Sequence, residues 1–387
     1  MPHVVREVLA PLENPIYVTR PFLPPLHKFV EGLTGIWESR QLTNNGPVLK
    51  RFRSSLSRYL QTENVALFNN GTLALQIGLQ AMNISGEVIT TPFTFVATTH
   101  ALYWNKIRPV FVDIEPDYYT LDPERIEAAI TPFTTAIVAV HVYGHPCRHE
   151  ALQEVASRHG LRLIYDAAHA FGVTVNDTSI ARFGDLSMFS FHATKLFHSL
   201  EGGALTFPDP VLKAQVDLLK NFGFKNETEV VLPGTNGKMN EMQALMGQVV
   251  LGHVPQIIAA RRKVYQRYRR QLADTPGIKV VAPLPETVGY NYAYMPVEIE
   301  PAEFGISRDA LYEALQRFNI FSRRYFYPLV CDFSCYREIP LTDPLTVARA
   351  VADRILTLPI YHDLSLDDVD RICEVIAEIQ KAPQAYA

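Results

Sequence analysis

The 387-residue chain lacks any uninterrupted run of about 20 apolar residues, the length a membrane-spanning helix requires. Its start, Met1 to Pro15, has no continuous apolar core of signal-peptide length, so a cytoplasmic protein is the expectation. A charge bias is missing as well: 36 Lys and Arg stand against 40 Asp and Glu, a net charge of -4. So small a total carries no electrostatic signature of a nucleic-acid binder or of a protein held to an anionic membrane. A few local groups can still hold a small phosphorylated ligand. Cysteine is scarce, and Cys147, Cys331, Cys335 and Cys373 have neither a CxxC pair nor zinc-finger spacing. No metal site is expected from them. Internal repeats and low-complexity stretches are also missing.

What is present is the composition of a folded globular protein, 48% hydrophobic and 20% charged. The length suggests two domains, or one large α/β core with a smaller appendage. Between residues 65 and 207, short apolar runs alternate with helix-like segments. The expected strands are Val65–Phe68, Glu87–Thr90, Val110–Val112, Ala136–Val142, Arg162–Tyr165, Leu186–Ser190 and Ala204–Phe207. Helical patterns at Thr72–Met82, Asp122–Ala129 and His149–His159 lie between them. Seven strands joined by crossover helices imply an α/β fold with a mostly parallel sheet covered on both faces. Asn240–Leu251 and Gln256–Leu272 read as two helices interrupted at Pro255, and a proline there ends or kinks a helix. A large domain over 1–255 and a small C-terminal α+β domain over 256–387 follow from that break. Arg20–Pro25 and Thr43–Pro47 are turn-rich and read as an arm or loops over the larger body.

Four segments could carry chemistry. Asn69-Asn-Gly-Thr72 joins a strand to a helix; free amides and the dipole at such a start bind a phosphate, and Gly71 lets the anion approach. Equally, Thr72 could simply cap the helix. No GxxxxGK[ST] or GxGxxG pattern is present. Asp166, in Tyr165-Asp-Ala-Ala-His-Ala170, follows an apolar strand, on the edge where open α/β sheets bind ligands. A carboxylate there could keep a pyridinium nitrogen protonated, or could cap the next helix. Lys195 closes Ser190-Phe-His-Ala-Thr-Lys195 just past another strand, with Gly202-Gly203 giving the backbone room to turn back toward it. Most lysines are merely solvated. One that is desolvated beside another cation loses its proton readily and becomes a Schiff-base nucleophile. The fourth segment, Gly234–Glu241, opens a helix; Asn236 there could be a turn residue and Asn240 or Thr235 a cap.

Together, in this order, these pieces resemble the DegT/StrS-related sugar aminotransferases, from about Tyr17 to Ile379. Phe68–Leu75 is similar to that family's phosphate-binding turn, and Thr91–Thr98 to the segment that lays a ring over the cofactor. Tyr165–Gly172 resembles its DAA(H/Q)AxG motif, Ser190–Lys195 its SFxxxK motif and Gly234–Ala244 its GxNxRMxExQA motif, with Lys238 in place of the usual Arg. That exchange keeps the charge and loses the bidentate fork. The resemblance implies a fold type I transferase using pyridoxal 5′-phosphate (PLP). It implies that Lys195 binds PLP as a Schiff base and shuttles a proton, and that Asp166 pairs with the pyridinium nitrogen. Phe95 would stack on the ring, His169 would meet the ring hydroxyl, and Ser190 with the amides of Gly71 and Thr72 would hold the phosphate. Asn236 would reach the phosphate of a neighbouring subunit, making a homodimer with shared active sites. His192, Lys225 and Tyr327 fall where relatives contact the sugar or its diphosphate.

The activity implied is transfer of an amino group from L-glutamate to a nucleotide-linked keto-deoxysugar in deoxyamino-sugar biosynthesis. Val18–Pro25, Leu42–Gly46 and Phe191–Lys195 look most like members that aminate dTDP-4-keto-6-deoxyglucose at C4. Amination of a dTDP-3-keto-6-deoxyhexose at C3 is the alternative within that class. A PLP-binding regulator without turnover is the alternative outside it. Relatives that act as dehydratases carry His at the lysine position, so Lys195 argues for transamination.

Overall fold

A computed structural model describes residues 9–386. All seven expected strands are present, with ends moved by at most two residues: Val65–Phe68, Glu87–Thr90, Arg108–Phe111, Thr134–Val140, Arg162–Asp166, Leu186–Ser190 and Gly203–Thr206. They form one sheet in the spatial order Val65, Gly203, Leu186, Arg162, Thr134, Glu87 and Arg108, each strand named by its first residue. Only Gly203–Thr206 runs antiparallel to its neighbours. Period-two alternation sends successive side chains to opposite faces. Ala136 and Val138 enter one apolar cluster with the Gly71–Ala81 helix, whereas Ile137 and Ala139 enter another with the His149–His159 helix. The sheet is thereby buried on both faces, as its near-continuous apolar strands require.

A second body is built on a three-stranded antiparallel sheet of Ile278–Val280, Met295–Ile299 and Ile355–Leu358. The helices Arg308–Arg317 and Leu366–Lys381 pack on it. The helix Val254–Leu272 serves both bodies: Val254 and Ile257 join the core that holds Phe171 and Phe191, and Val264, Tyr268 and Leu272 join the smaller body's core. Pro255 lies in its first turn, where no backbone N–H is needed, so the proline starts this helix and the interruption falls at Gly252–His253. The arm also departs from a simple overlay. Ile16–Tyr17 pairs as a parallel strand with Ile320–Phe321, 304 residues along the chain from Ile16 to Ile320. Among the described residues, no helix is long and apolar enough to cross a membrane.

Two unanticipated helices, Leu26–Ser39 and Pro47–Tyr59, flank the Thr43–Pro47 turn. The second begins at Gly46, which offers no side-chain cap. Its first amides are satisfied instead by buried Glu241, whose Oε2 accepts from Val48 N–H at 2.8 Å and Oε1 from Leu49 N–H at 3.0 Å. Gly46 must be bare, because a Cβ there would lie 2.6 Å from the Glu241 carboxyl carbon. Glu241 is thus a long-range cap inside the fourth sequence motif. Glu241→Gln keeps the shape but turns an amide N–H toward a backbone N–H. We expect a loss of about 2 kcal/mol in unfolding free energy, read by chemical denaturation, because one buried donor loses its acceptor. An unchanged midpoint would show that the cap carries no weight.

Candidate active site

The sheet's carboxyl edge gathers the candidate residues. Asp166 and Ser190 end two neighbouring parallel strands, and the turn at Asn69–Asn70 follows a third. Asn70 caps the next helix, its Oδ1 accepting from Leu73 N–H at 2.8 Å. The helix starts at Gly71 with Asn70, not Thr72, as its cap. That leaves the first-turn amides of Gly71 and Thr72 without an acceptor among the described residues, beside Ser190 in the same cleft. This is an anion-binding arrangement. Two glycines keep it tight. A Cβ on Gly71 would lie 3.0 Å from Ser190 Cβ, and one on Gly203 would lie 2.7 Å from Gly71 N. Gly202 and Gly203 therefore serve close approach; neither has the left-handed φ that a tight reversal uses.

Lys195 sits in the loop after Ser190, held by two anchors on either side. Phe191 and Phe197 are fully buried and meet edge to face at 4.8 Å, each also against Phe171. The segment between them is forced outward as a turn closed by Lys195 N–H to His192 O at 2.9 Å. The ammonium is drawn out of water, and its pKa is pushed down to about 8, mainly by burial, with Asp166 and Tyr325 opposing. Its hydroxyl neighbour is Tyr294, at 3.5 Å from Nζ.

Asp166 is 4% exposed. Burial raises its carboxyl above the ordinary range, while hydrogen bonds and the charge of Lys195 oppose the rise. The bonds come from Thr98 Oγ1 at 2.7 Å and Ala168 N–H at 3.0 Å. His169 is buried and held neutral, its pKa well below the usual value through burial and then through Lys195. Its Nδ1 accepts from Tyr143 N–H at 3.3 Å, which leaves the ring proton on Nε2 as a donor. Its ring stacks on Phe326 at 5.7 Å and 7°.

One cleft of about 990 Å³ is lined by Gly71, Thr72, Phe95, Asp166, His169, Ser190, His192 and Lys195. Phe95 is 56% exposed, free to cover a flat ligand. His192 Nε2 lies 3.4 Å from Glu201 Oε1, and its Nδ1 accepts from Thr194 N–H at 3.2 Å and lies 2.7 Å from Thr194 Oγ1. Three candidates lie outside this cleft in the single chain. Asn236 is exposed, its carbonyl accepting from Asn69 Nδ2 at 3.5 Å. Lys225 is exposed and paired with Glu229 at 3.1 Å. Tyr327 is 40% exposed beneath the Arg308 guanidinium at 4.6 Å, whereas Tyr325, two residues earlier, lines the cleft.

Sequence reasoning did not single out Thr98, Tyr294, Tyr325 or Phe326. Thr98 carried a usable signal, lying three residues after Phe95 where the chain enters the Ala97–Trp104 helix. Tyr294, Tyr325 and Phe326 come from the second body and are brought in only by tertiary packing. Chemically, the cleft offers a depressed-pKa amine, a buried carboxylate and an anion cradle within one apolar-walled space. PLP fits these donors: an aldehyde for the amine, a ring nitrogen for the carboxylate, a phosphate for the amides.

Comparison with known proteins agrees. The chain is 45% identical to dTDP-4-amino-4,6-dideoxy-D-glucose transaminase of Shigella dysenteriae over 369 residues, covering 95% of this chain and 100% of that one. It superposes on the crystal structure of DesI in the presence of its TDP-sugar product with a TM-score of 0.93. The identity there is 37%, over 97% of this chain and 96% of that one. Spr1654 of Streptococcus pneumoniae in its PLP form gives a TM-score of 0.88 at 25% identity, covering 95% and 99%. The architecture is that of the fold type I transferases, with the mostly parallel seven-stranded sheet at its centre. Residues 27–377 match the model of the DegT/DnrJ/EryC1/StrS aminotransferase family, and the chain belongs to that family of aminotransferases.

Proposed function

We propose that this aminotransferase binds PLP and moves the amino group of L-glutamate to C4 of dTDP-4-keto-6-deoxyglucose, in a cytoplasmic homodimer with shared active sites. The observation that carries the reading is the convergence of Lys195, Asp166 and the Gly71–Thr72 amides on one cleft. PLP, when bound, supplies an electron sink for the bond broken at the donor's Cα. Lys195 would hold the cofactor through its aldehyde carbon, water leaving as that bond forms, and would serve as the proton carrier at the donor's Cα once the donor's amine has taken its place. Asp166 would hold a proton on the ring nitrogen. His169 would donate from Nε2 to the ring hydroxyl, and Ser190 with the Gly71 and Thr72 amides would take the phosphate. Phe95 would cover the ring and exclude water.

His192 stands nearest the sugar in this reading, with Lys225 and Tyr327 meeting the diphosphate from positions outside the single-chain cleft. Asn236, exposed and outside the lining of its own cleft, supports a contact with the cofactor phosphate bound by a second copy. The apolar side chains of Leu23, Leu26, Val30 and Trp37, between 47% and 74% exposed, support an extensive subunit contact nearby.

The test is turnover of glutamate with 4-keto and 3-keto dTDP-sugars assayed separately. Turnover of the 4-keto sugar is expected; preference for the 3-keto sugar would replace the C4 assignment with C3. A yellow protein indifferent to glutamate would instead mark a PLP-binding regulator.

The lowered lysine pKa gives a pH dependence of known sign. At pH 8 about half of the Lys195 amine is neutral, against about 0.3% for an ordinary lysine at 10.4 to 10.5. Capture of PLP by the apo-protein, followed by absorbance, should rise about tenfold per pH unit below 8 and level off above it. The same shift makes the fold gain stability as pH rises from about 8 to 10.5, because there the unfolded chain binds the extra proton. A capture profile still rising at pH 10 would refute the depressed value.

A further inference from the structure

Lys195 separates two cavities. The cleft lies on one side, and a smaller cavity on the other is closed by Val18, Thr19, Leu358 and Ile360. Tyr294 lines both. We propose that Tyr294 is a positioning residue for Lys195, its phenol oxygen accepting a hydrogen bond from Nζ and holding the amine at the cleft. This rests on the reading of Lys195 as the amine that binds the cofactor.

Several observations support a built contact. The hydroxyl is 3.5 Å from Nζ. The ring cannot swing away, since it meets His169 edge to face at 4.9 Å and Tyr143 at 5.5 Å. Its backbone is fastened on both sides of the subdomain junction. Asn291, fully buried, donates from Nδ2 to His169 O at 2.9 Å and Phe171 O at 3.0 Å, and its Oδ1 accepts from Ala293 N–H at 3.1 Å. Buried Arg261 donates to Ala293 O at 3.1 Å. Asn291 thereby ties the Tyr294 segment to the loop that carries His169, so the phenol and the cofactor's neighbours move as one piece.

Burial keeps the Tyr294 phenol protonated far above its ordinary range, with Arg261 opposing and Asp166 adding to the rise. It is therefore neither a base nor a counter-ion at working pH; what it offers is an acceptor of fixed direction. The other groups facing Lys195 are Asp166 at the end of its strand, His169 in the turn after it, and Tyr325 from the second body. His192, Thr194 and Glu201 line the cleft from the lysine's own loop. An acceptor beside the amine favours its charged form, so removing it deepens the effect of burial.

The experiment is Tyr294→Phe, with Tyr290→Phe as the comparison. Tyr290 is likewise half-buried among aromatic rings, but its hydroxyl donates to Tyr143 O at 3.1 Å, and it lines neither cavity. In apo-protein, the pH dependence of Lys195 acylation by an amine-selective reagent is read by peptide mass. With Phe at 294 the midpoint should fall by about half a unit or more, at least threefold more neutral amine at pH 7. In the loaded enzyme, kcat should fall about tenfold with KM for the sugar within twofold, since proton transfer and not binding is disturbed. Tyr290→Phe should leave the midpoint in place. A fluorotyrosine at 294 keeps the shape with a weaker acceptor, and its midpoint should lie between the two. The idea fails if Tyr294→Phe titrates as wild type, if Tyr290→Phe shifts equally, or if fluorotyrosine changes nothing. If borohydride reduction of wild-type protein with PLP labels a lysine other than Lys195, the underlying site assignment fails instead.

Discussion

Lys195→Ala should give a folded protein that binds PLP without fixing it covalently, with turnover down by at least about 10⁴-fold. The size of the loss follows from how much one atom does. Among the described residues Nζ is the only amine lining the cleft, it is desolvated enough to be half neutral near pH 8, and its loop is pinned by two buried phenylalanines. In the proposed mechanism its removal takes away both the point of attachment and the proton carrier. The phosphate cradle and the carboxylate stay, so non-covalent affinity should persist. The measurement is borohydride reduction with PLP followed by peptide mapping. Wild type should carry the label on the peptide containing Lys195, and the variant none. Labelling of equal extent in the variant would give the role to another lysine.

How much of this was readable beforehand differs by element. The seven strands of the large sheet were legible because each is a short apolar or β-branched run, several of them cut off by Gly, Pro or Asp, and burial on both faces leaves no competing pattern. Asp166 and Ser190 were legible as strand-end residues for the same reason. The Leu26–Ser39 and Pro47–Tyr59 helices were not, because the turn residues between them dominated the local signal. The Pro47–Tyr59 helix also takes its cap from Glu241, 192 residues from Leu49's place in sequence, a partner no local rule can name. Gly202-Gly203 was read as room for the backbone to turn back, yet neither has a left-handed φ and the requirement at Gly203 is space beside Gly71 N. The wall of the cleft formed by Tyr294, Tyr325 and Phe326 depends on the second body docking against the first, and sequence spacing holds no trace of that distance.

Asp166→Asn should separate function from stability, because the carboxylate is useful only when a cation faces it. Turnover is expected to fall about 10³-fold, with PLP affinity changed far less, since the phosphate cradle is intact. An amide oxygen can still accept from Ala168 N–H while its Nδ2 donates to Thr98 Oγ1, but it carries no charge to hold a proton on the ring nitrogen. Without cofactor the sign reverses. Burial raises the Asp166 pKa above that of an unfolded chain, so the folded state holds its proton more tightly. Such a group costs stability once pH exceeds the ordinary carboxylate range, and the cost vanishes as pH falls below it. Apo Asp166→Asn should therefore be at least as stable as wild type at neutral pH, with the difference closing toward acid pH. Thermal unfolding of both apo-proteins across that range provides the check. A variant that is less stable at pH 7 yet turns over like wild type would mean that Asp166 braces the turn through Thr98 and leaves the ring nitrogen to another group.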